Sequence, residues 1–288
     1  MKSYPRHLVW LAAVVLAAAS CGGGGGSSTT PTSPSSSTPS TPSTPSSPGT
    51  PVTSACAAIV GFLGSPQGIV NGSPCSLETT AVVRLNMKDA YGESLGFCSG
   101  TIIAARAVLT AAHCVDGEVR TVLVYQGVGG GQVSSTSFTA HPSYHKTSNG
   151  SSGLDIGVVI MESDLARTPL PLLFSREARV GEQAIVAGWG QDETGSVNDK
   201  LQAGTTAVSA VTSTWLEAAN SSTSGNVCAG DSGGPMLLSE AGAWVVGGVT
   251  SATSGGAYCT SGSSYFANLR NGEAQSFILG LVPGLTPK

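Results

Sequence analysis

The sequence predicts an all-β protein built from antiparallel barrels or a sandwich, and two observations carry that prediction. Short runs rich in Val and Ile recur from residue 79 onward, each bounded by Gly, Ser, Asn or Pro clusters. Only the C-terminal stretch, with Phe277, Ile278, Leu281 and Val282, has helical spacing. Composition narrows the function classes. The 288 residues carry a net charge of −4 with Lys and Arg scattered, which argues against an electrostatic nucleic-acid binder. No apolar run reaches the roughly 20 residues that span a bilayer as a helix.

In chain order, residues 1–20 read as an export signal. Lys2 and Arg6 precede an uncharged apolar run from Leu8 to Ala19, and small residues then lead into Cys21. Residues 21–55 read as a lipid-attachment cysteine followed by a linker. Of the 34 residues in 22–55, 32 are Gly, Ser, Thr or Pro, so almost nothing apolar is left to offset the entropy of ordering. Residues 56–68 precede the foldable part as a propeptide, and 69–288 form the domain. Its strand-like runs include AVVRL (81–85), TVLVYQ (121–126), IGVVIM (156–161), QAIVAGWG (183–190), WVVGGVT (244–250) and SYFANL (264–269).

Three segments carry chemistry. L-T-A-A-H-C at 109–114 ends a strand-like run on His113, L-D-I-G-V-V at 154–159 sets Asp155 directly before a strand, and C-A-G-D-S-G-G-P at 228–235 holds Ser232 in a glycine-rich turn. A serine nucleophile needs a base, an acid to orient that base, and backbone donors for the oxyanion. Singly, each residue has a duller reading. Asp116, Asp155 and Asp164 all suit turns or caps, a lone histidine is usually structural, and His141 and His145 sit in a polar loop. Together, in the order His, Asp, Ser, they match one of the known chain orders of such triads.

T-A-A-H-C (110–114), H-P-S-Y (141–144), D-I (155–156), A-G-W-G (187–190) and G-D-S-G-G-P (230–235) resemble the trypsin-like serine proteases of chymotrypsin fold. That resemblance implies two six-stranded antiparallel barrels with a short C-terminal helix. Ser232 would be the nucleophile, His113 the base and Asp155 its orienting acid, with N–H groups of Gly230 and Ser232 as the oxyanion hole. It pairs Cys98 with Cys114 and Cys228 with Cys259. It also makes Ile69 a new N-terminus after cleavage at Gly68, its ammonium meeting Asp231. Thr250 falls where the family often has a serine bonded to the catalytic Asp, and the usual Trp after it is replaced by Ser251. Asn226, Thr250, Ala252 and Ser263 fall on the substrate pocket. Asn226 stands where trypsin-type pockets hold Asp, so a small or medium uncharged side chain is expected before the scissile bond.

Cys56 and Cys75 are left over and are expected to pair across the cleavage point. Small residues before Cys21 resemble a bacterial lipoprotein site, and removing Cys21 leaves an even six cysteines. The expected protein is an exported, monomeric serine endopeptidase, in the cell envelope on a lipid anchor or secreted, acting on proteins or peptides. No cofactor or metal is expected. The alternative is a catalytically silent binding module on the same fold.

Overall fold

A computed structural model describes residues 73–74, 80–125, 131–147, 150–151, 154–197 and 200–288. Cys21, Cys56, Ile69 and Cys75 lie outside the described residues, as do the signal and the linker. The strands are β1 (Ser73–Pro74), β2 (Val82–Lys88), β3 (Ser94–Ala104), β4 (Ala107–Thr110), β5 (Thr121–Tyr125), β6 (Gln132–Ala140), β7 (Lys146–Thr147), β8 (Gly150–Ser151) and β9 (Gly157–Met161). They continue with β10 (Gln183–Gly188), β11 (Gln202–Ala207), β12 (Ala210–Val211), β13 (Trp215–Ala219), β14 (Pro235–Glu240), β15 (Ala243–Thr253) and β16 (Ser263–Asn268), and the α-helix among the described residues, α1 (Gly272–Leu281), follows them.

The first half closes into a barrel in the order β2-β3-β4-β9-β6-β5, every pair antiparallel. Closure removes the exposed edges that an open sheet would present. Leu85, Ile102, Val108 and Val159 fill its interior and are fully buried. At about 25 cal/mol per Å² of apolar surface, such side chains stabilise the fold by roughly 1.5–3 kcal/mol each.

The second half differs in detail from a six-stranded barrel. It is an eight-stranded sheet in the order β1-β11-β10-β14-β15-β16-β13-β12, and its hydrogen bonding does not close among the described residues. Six strands of five or more residues form its body, while the end strands β11 and β13 pair with the two-residue pieces β1 and β12. A second core of Val186, Leu216, Met236, Leu238, Val245 and Phe266 lies beneath it.

Helix α1 forms where spacing predicts it. Asn271 caps it, its side-chain oxygen accepting from the N–H groups of Glu273 and Ala274 at 2.9 and 3.2 Å. Its buried face is Ala274 and Ile278, while Phe277 packs against the ring of His141 in a tilted arrangement, 4.8 Å between centroids. No helix among the described residues is long and apolar enough to cross a membrane.

Candidate active site

His113 sits in a 3-10 turn, Ala112–Cys114, that follows β4 after a single residue. The turn is fixed by the Cys98–Cys114 disulfide, which ties it to β3 across a separation of 16 residues. A crosslink closing a loop of that size stabilises by about 3 kcal/mol on the chain-entropy account. Cys228–Cys259 does the same beside Ser232, so both pairings implied by the resemblance are present.

Asp155 precedes β9 and its side chain is wholly buried. A buried carboxylate needs donors on both oxygens. Here Oδ1 accepts the backbone N–H of His113 at 2.9 Å, and Oδ2 accepts His113 Nδ1 at 2.7 Å and the Ser251 hydroxyl at 2.5 Å. Burial pushes Asp155 up, but the hydrogen bonds from His113 and Ser251 and the His113 charge hold it below its ordinary value. With its proton on Nδ1, the imidazole presents Nε2 as an acceptor. Nearby Tyr144 is pushed up to about 12 by burial and by the charges of Asp155 and Asp116, so it stays neutral.

Ser251 was not expected in this role. Thr250 is the position that the resemblance aligns with the bonding serine, but Ser251 makes the bond. β15 carries a bulge between Thr250 and Ala252, and one extra residue in a strand turns the side chains after it to the opposite face.

Ser232 lies in the turn between Ala229 and Gly234. Its carbonyl accepts the N–H of Ser99 at 2.8 Å and lies 3.8 Å from the Cys114 sulfur. Ser232 Oγ makes no hydrogen bond to His113 among the described residues. The N–H groups of Gly230 and Ser232 likewise donate to nothing among the described residues, which leaves both open to an incoming oxyanion. Gly230 has φ +95°, a backbone state that suits glycine, and a Cβ there would lie 2.5 Å from the Phe97 ring. Ser99 clamps the turn from β3. Its hydroxyl donates to the Gly230 carbonyl at 3.0 Å and accepts the Trp189 N–H at 2.9 Å. No sequence motif singled Ser99 out.

Asp231, between Gly230 and Ser232, is completely buried, and burial pushes it up to about 7 despite hydrogen bonds from Cys228 and Gly190 N–H at 2.8 and 2.7 Å. The A-G-W-G segment wraps it closely, since a Cβ on Gly190 would come within 2.5 Å of its Cγ. No cationic group pairs with it among the described residues.

A cavity of about 310 Å³ opens beside Ser232, and none of its lining residues is charged. Of the four residues expected on the substrate pocket, Thr250 and Ala252 line this cavity and Asn226 and Ser263 do not. Asn226 is buried and its amide is engaged elsewhere, donating to the Ser221 carbonyl at 2.8 Å and accepting from the Ser224 hydroxyl at 2.7 Å. Sequence counting missed the wall residues Val227 and Tyr258. Tyr258 belongs to the insertion before Cys259, where both residues have positive φ, and counting positions across such a loop carries no geometry. Cys98, His113 and Cys114 form the one group among the described residues close enough to hold a metal, but both sulfurs are spent in the disulfide.

Comparison with known proteins gives a consistent picture. The family model described as Trypsin matches residues 69–271. A trypsin of Saccharopolyspora erythraea is 30% identical over 168 residues, covering 50% of this chain and 71% of the relative. A chymotrypsin of Phaedon cochleariae is 30% identical over 207 residues, covering 62% of this chain and 70% of the relative. Phenoloxidase-activating factor 3 of Holotrichia diomphalia is 33% identical, but the match covers only 40% of either chain. Among solved structures, a collagenase superposes with a TM-score of 0.59 at 21% identity, over 76% of this chain and 98% of its own.

Proposed function

This chain belongs to the trypsin family of serine proteases, and we propose that it hydrolyses peptide bonds through Ser232, His113 and Asp155, after small or medium uncharged side chains. The observation that carries this reading is the hydrogen-bonded run from Ser251 through Asp155 to His113, beside a cavity that Ser232 lines. In the first step Ser232 Oγ attacks the substrate carbonyl carbon while His113 Nε2 takes its proton. The carbonyl oxygen gains the negative charge and receives the N–H groups of Gly230 and Ser232. As the C–N bond breaks, His113 returns that proton to the leaving amine, and Ser232 holds the acyl group as an ester. Water, deprotonated by the same imidazole, then releases the acid and restores the serine. Asp155 stabilises the imidazolium in both halves without taking its proton.

The unpaired burial of Asp231 supports a further element of this reading. A cut after Gly68 would supply the Ile69 ammonium that this carboxylate lacks among the described residues. The export signal and Cys21 would carry the domain outside the cytoplasm on a stalk reaching at most about 105 Å, at ~3.1 Å per residue. One observation favours a catalytically silent binding module, namely the absence of a Ser232–His113 hydrogen bond, although such bonds are often long in free enzymes.

A reporter panel separates the two. The processed chain is expected to cleave peptides with an uncharged residue before the scissile bond at least about tenfold faster, in kcat/KM, than otherwise identical Arg or Lys peptides. An uncompensated charge in a cavity without carboxylates accounts for that margin. Ser232→Ala is expected to cleave none of them. Efficient cleavage after Arg would overturn the pocket argument, and cleavage of nothing by the unmutated chain would favour the binding module.

A further inference from the structure

We propose that Thr250 is a specificity-determining residue, and that the cavity it lines takes a neutral side chain with a hydrogen-bonding head, the carboxamide of glutamine or asparagine. This inference rests on the endopeptidase reading and narrows its substrate class. Three hydroxyls sit at the end of β15, and they are not equivalent. The Ser251 hydroxyl is held by Asp155. Thr253 Oγ1 accepts from the Gly255 N–H at 3.2 Å and from the Asn220 amide at 3.4 Å. Thr250 lines the cavity, is 2% exposed, and its Oγ1 has no hydrogen-bond partner among the described residues.

The backbone of Thr250 is already committed. Its N–H donates to the Gly234 carbonyl and its carbonyl accepts from the Gly233 N–H, both at 2.8 Å, so the residue is fixed in place beside the Ser232 turn. Rotation about χ1 exchanges its hydroxyl and methyl within much the same envelope, so the hydroxyl can turn to a substrate without moving the strand.

A buried hydroxyl without a partner is a penalty that the free protein bears and that a suitable ligand removes. An apolar side chain would seal the cavity and leave that penalty in place. An ammonium or carboxylate would find no opposite charge among the lining residues. A carboxamide satisfies both limits: it is uncharged, and its oxygen can accept from Thr250 or its NH₂ can donate to it. The remaining wall, with Val227, Ala252 and the Cys228–Cys259 disulfide, packs against the methylene stem.

The test uses the processed full chain and peptide pairs that differ only before the scissile bond, Gln against Met and Asn against Leu. The expected kcat/KM ratio favours each carboxamide by about fivefold to tenfold. Thr250→Val keeps the shape and removes the hydroxyl, and is expected to abolish or reverse the ratio; Thr250→Ser is expected to restore it. A wild-type preference for Met and Leu, or a ratio that Thr250→Val leaves unaltered, overturns the proposal. If no peptide is cleaved and Ser232 fails to react with a fluorophosphonate, the endopeptidase reading itself is lost, and this inference with it.

Discussion

Replacing Asp155 by asparagine is expected to lower kcat for peptide hydrolysis about 10⁴-fold, with KM little changed. The effect follows from proton geometry more than from charge. Asp155 offers acceptors to three donors, the His113 N–H, the His113 Nδ1 and the Ser251 hydroxyl. An asparagine in the same place has one acceptor oxygen and one NH₂. With its oxygen taken by the backbone N–H, its NH₂ faces Nδ1, which must then become an acceptor, and the imidazole proton moves to Nε2. In that tautomer His113 cannot take the Ser232 proton. Steady-state kinetics on an uncharged reporter peptide check this, and a loss below about tenfold would mean that Asp155 does not orient the base.

The uncleaved chain, made inert by Ser232→Ala, is expected to lose stability as pH rises from about 4 to about 7, by an amount on the order of 4 kcal/mol. Burial raises Asp231 from 3.8 to about 7. Between those values the folded carboxyl keeps a proton that the unfolded one has released, so unfolding is increasingly favoured as pH climbs, at about 1.36 kcal/mol for each pH unit. Above about 7 both states are ionised and the slope ends. Asp155 works in the opposite sense and in a lower window. Its depressed value makes its contribution fully present above the unfolded range near 3.8 and lost only as pH falls through the lower, folded value. Denaturant unfolding at a series of pH values separates the two. Asp231→Asn is expected to flatten the slope from 4 to 7, and so is cleavage after Gly68, because an ammonium at Ile69 would keep Asp231 ionised. A slope equally steep in Asp231→Asn would assign it to another group.

Much of this was legible from residues alone, for identifiable reasons. β9, β10 and β15 are runs of Val, Ile and Ala with buried faces, and their composition announces them. β3 and β11 are harder to read, because buried Ser99, Gly100, Thr101, Gln202 and Gly204 stand where a strand pattern calls for branched apolar residues. His113, Asp155 and Ser232 could be proposed because each lies in a short contiguous motif.

The pocket could not be read in this way. Its walls come from segments far apart in the chain, and a single-residue bulge in β15 decides which hydroxyl meets Asp155. Counting positions put Thr250 there, whereas the bulge puts Ser251 there and leaves Thr250 lining the cavity. Asn226 illustrates the same limit. Its position counts as the pocket floor, yet neighbouring serines of its own loop take up its amide.

Fluorophosphonate labelling tests most directly whether Ser232 is a nucleophile activated by His113. The reagent phosphonylates an activated serine oxygen with loss of fluoride, and ordinary serines react far more slowly. Mass spectrometry of the labelled, processed chain is expected to find a single adduct, on the peptide containing Ser232, and none in Ser232→Ala. An unlabelled wild-type chain, or an adduct that persists in Ser232→Ala, would contradict the account.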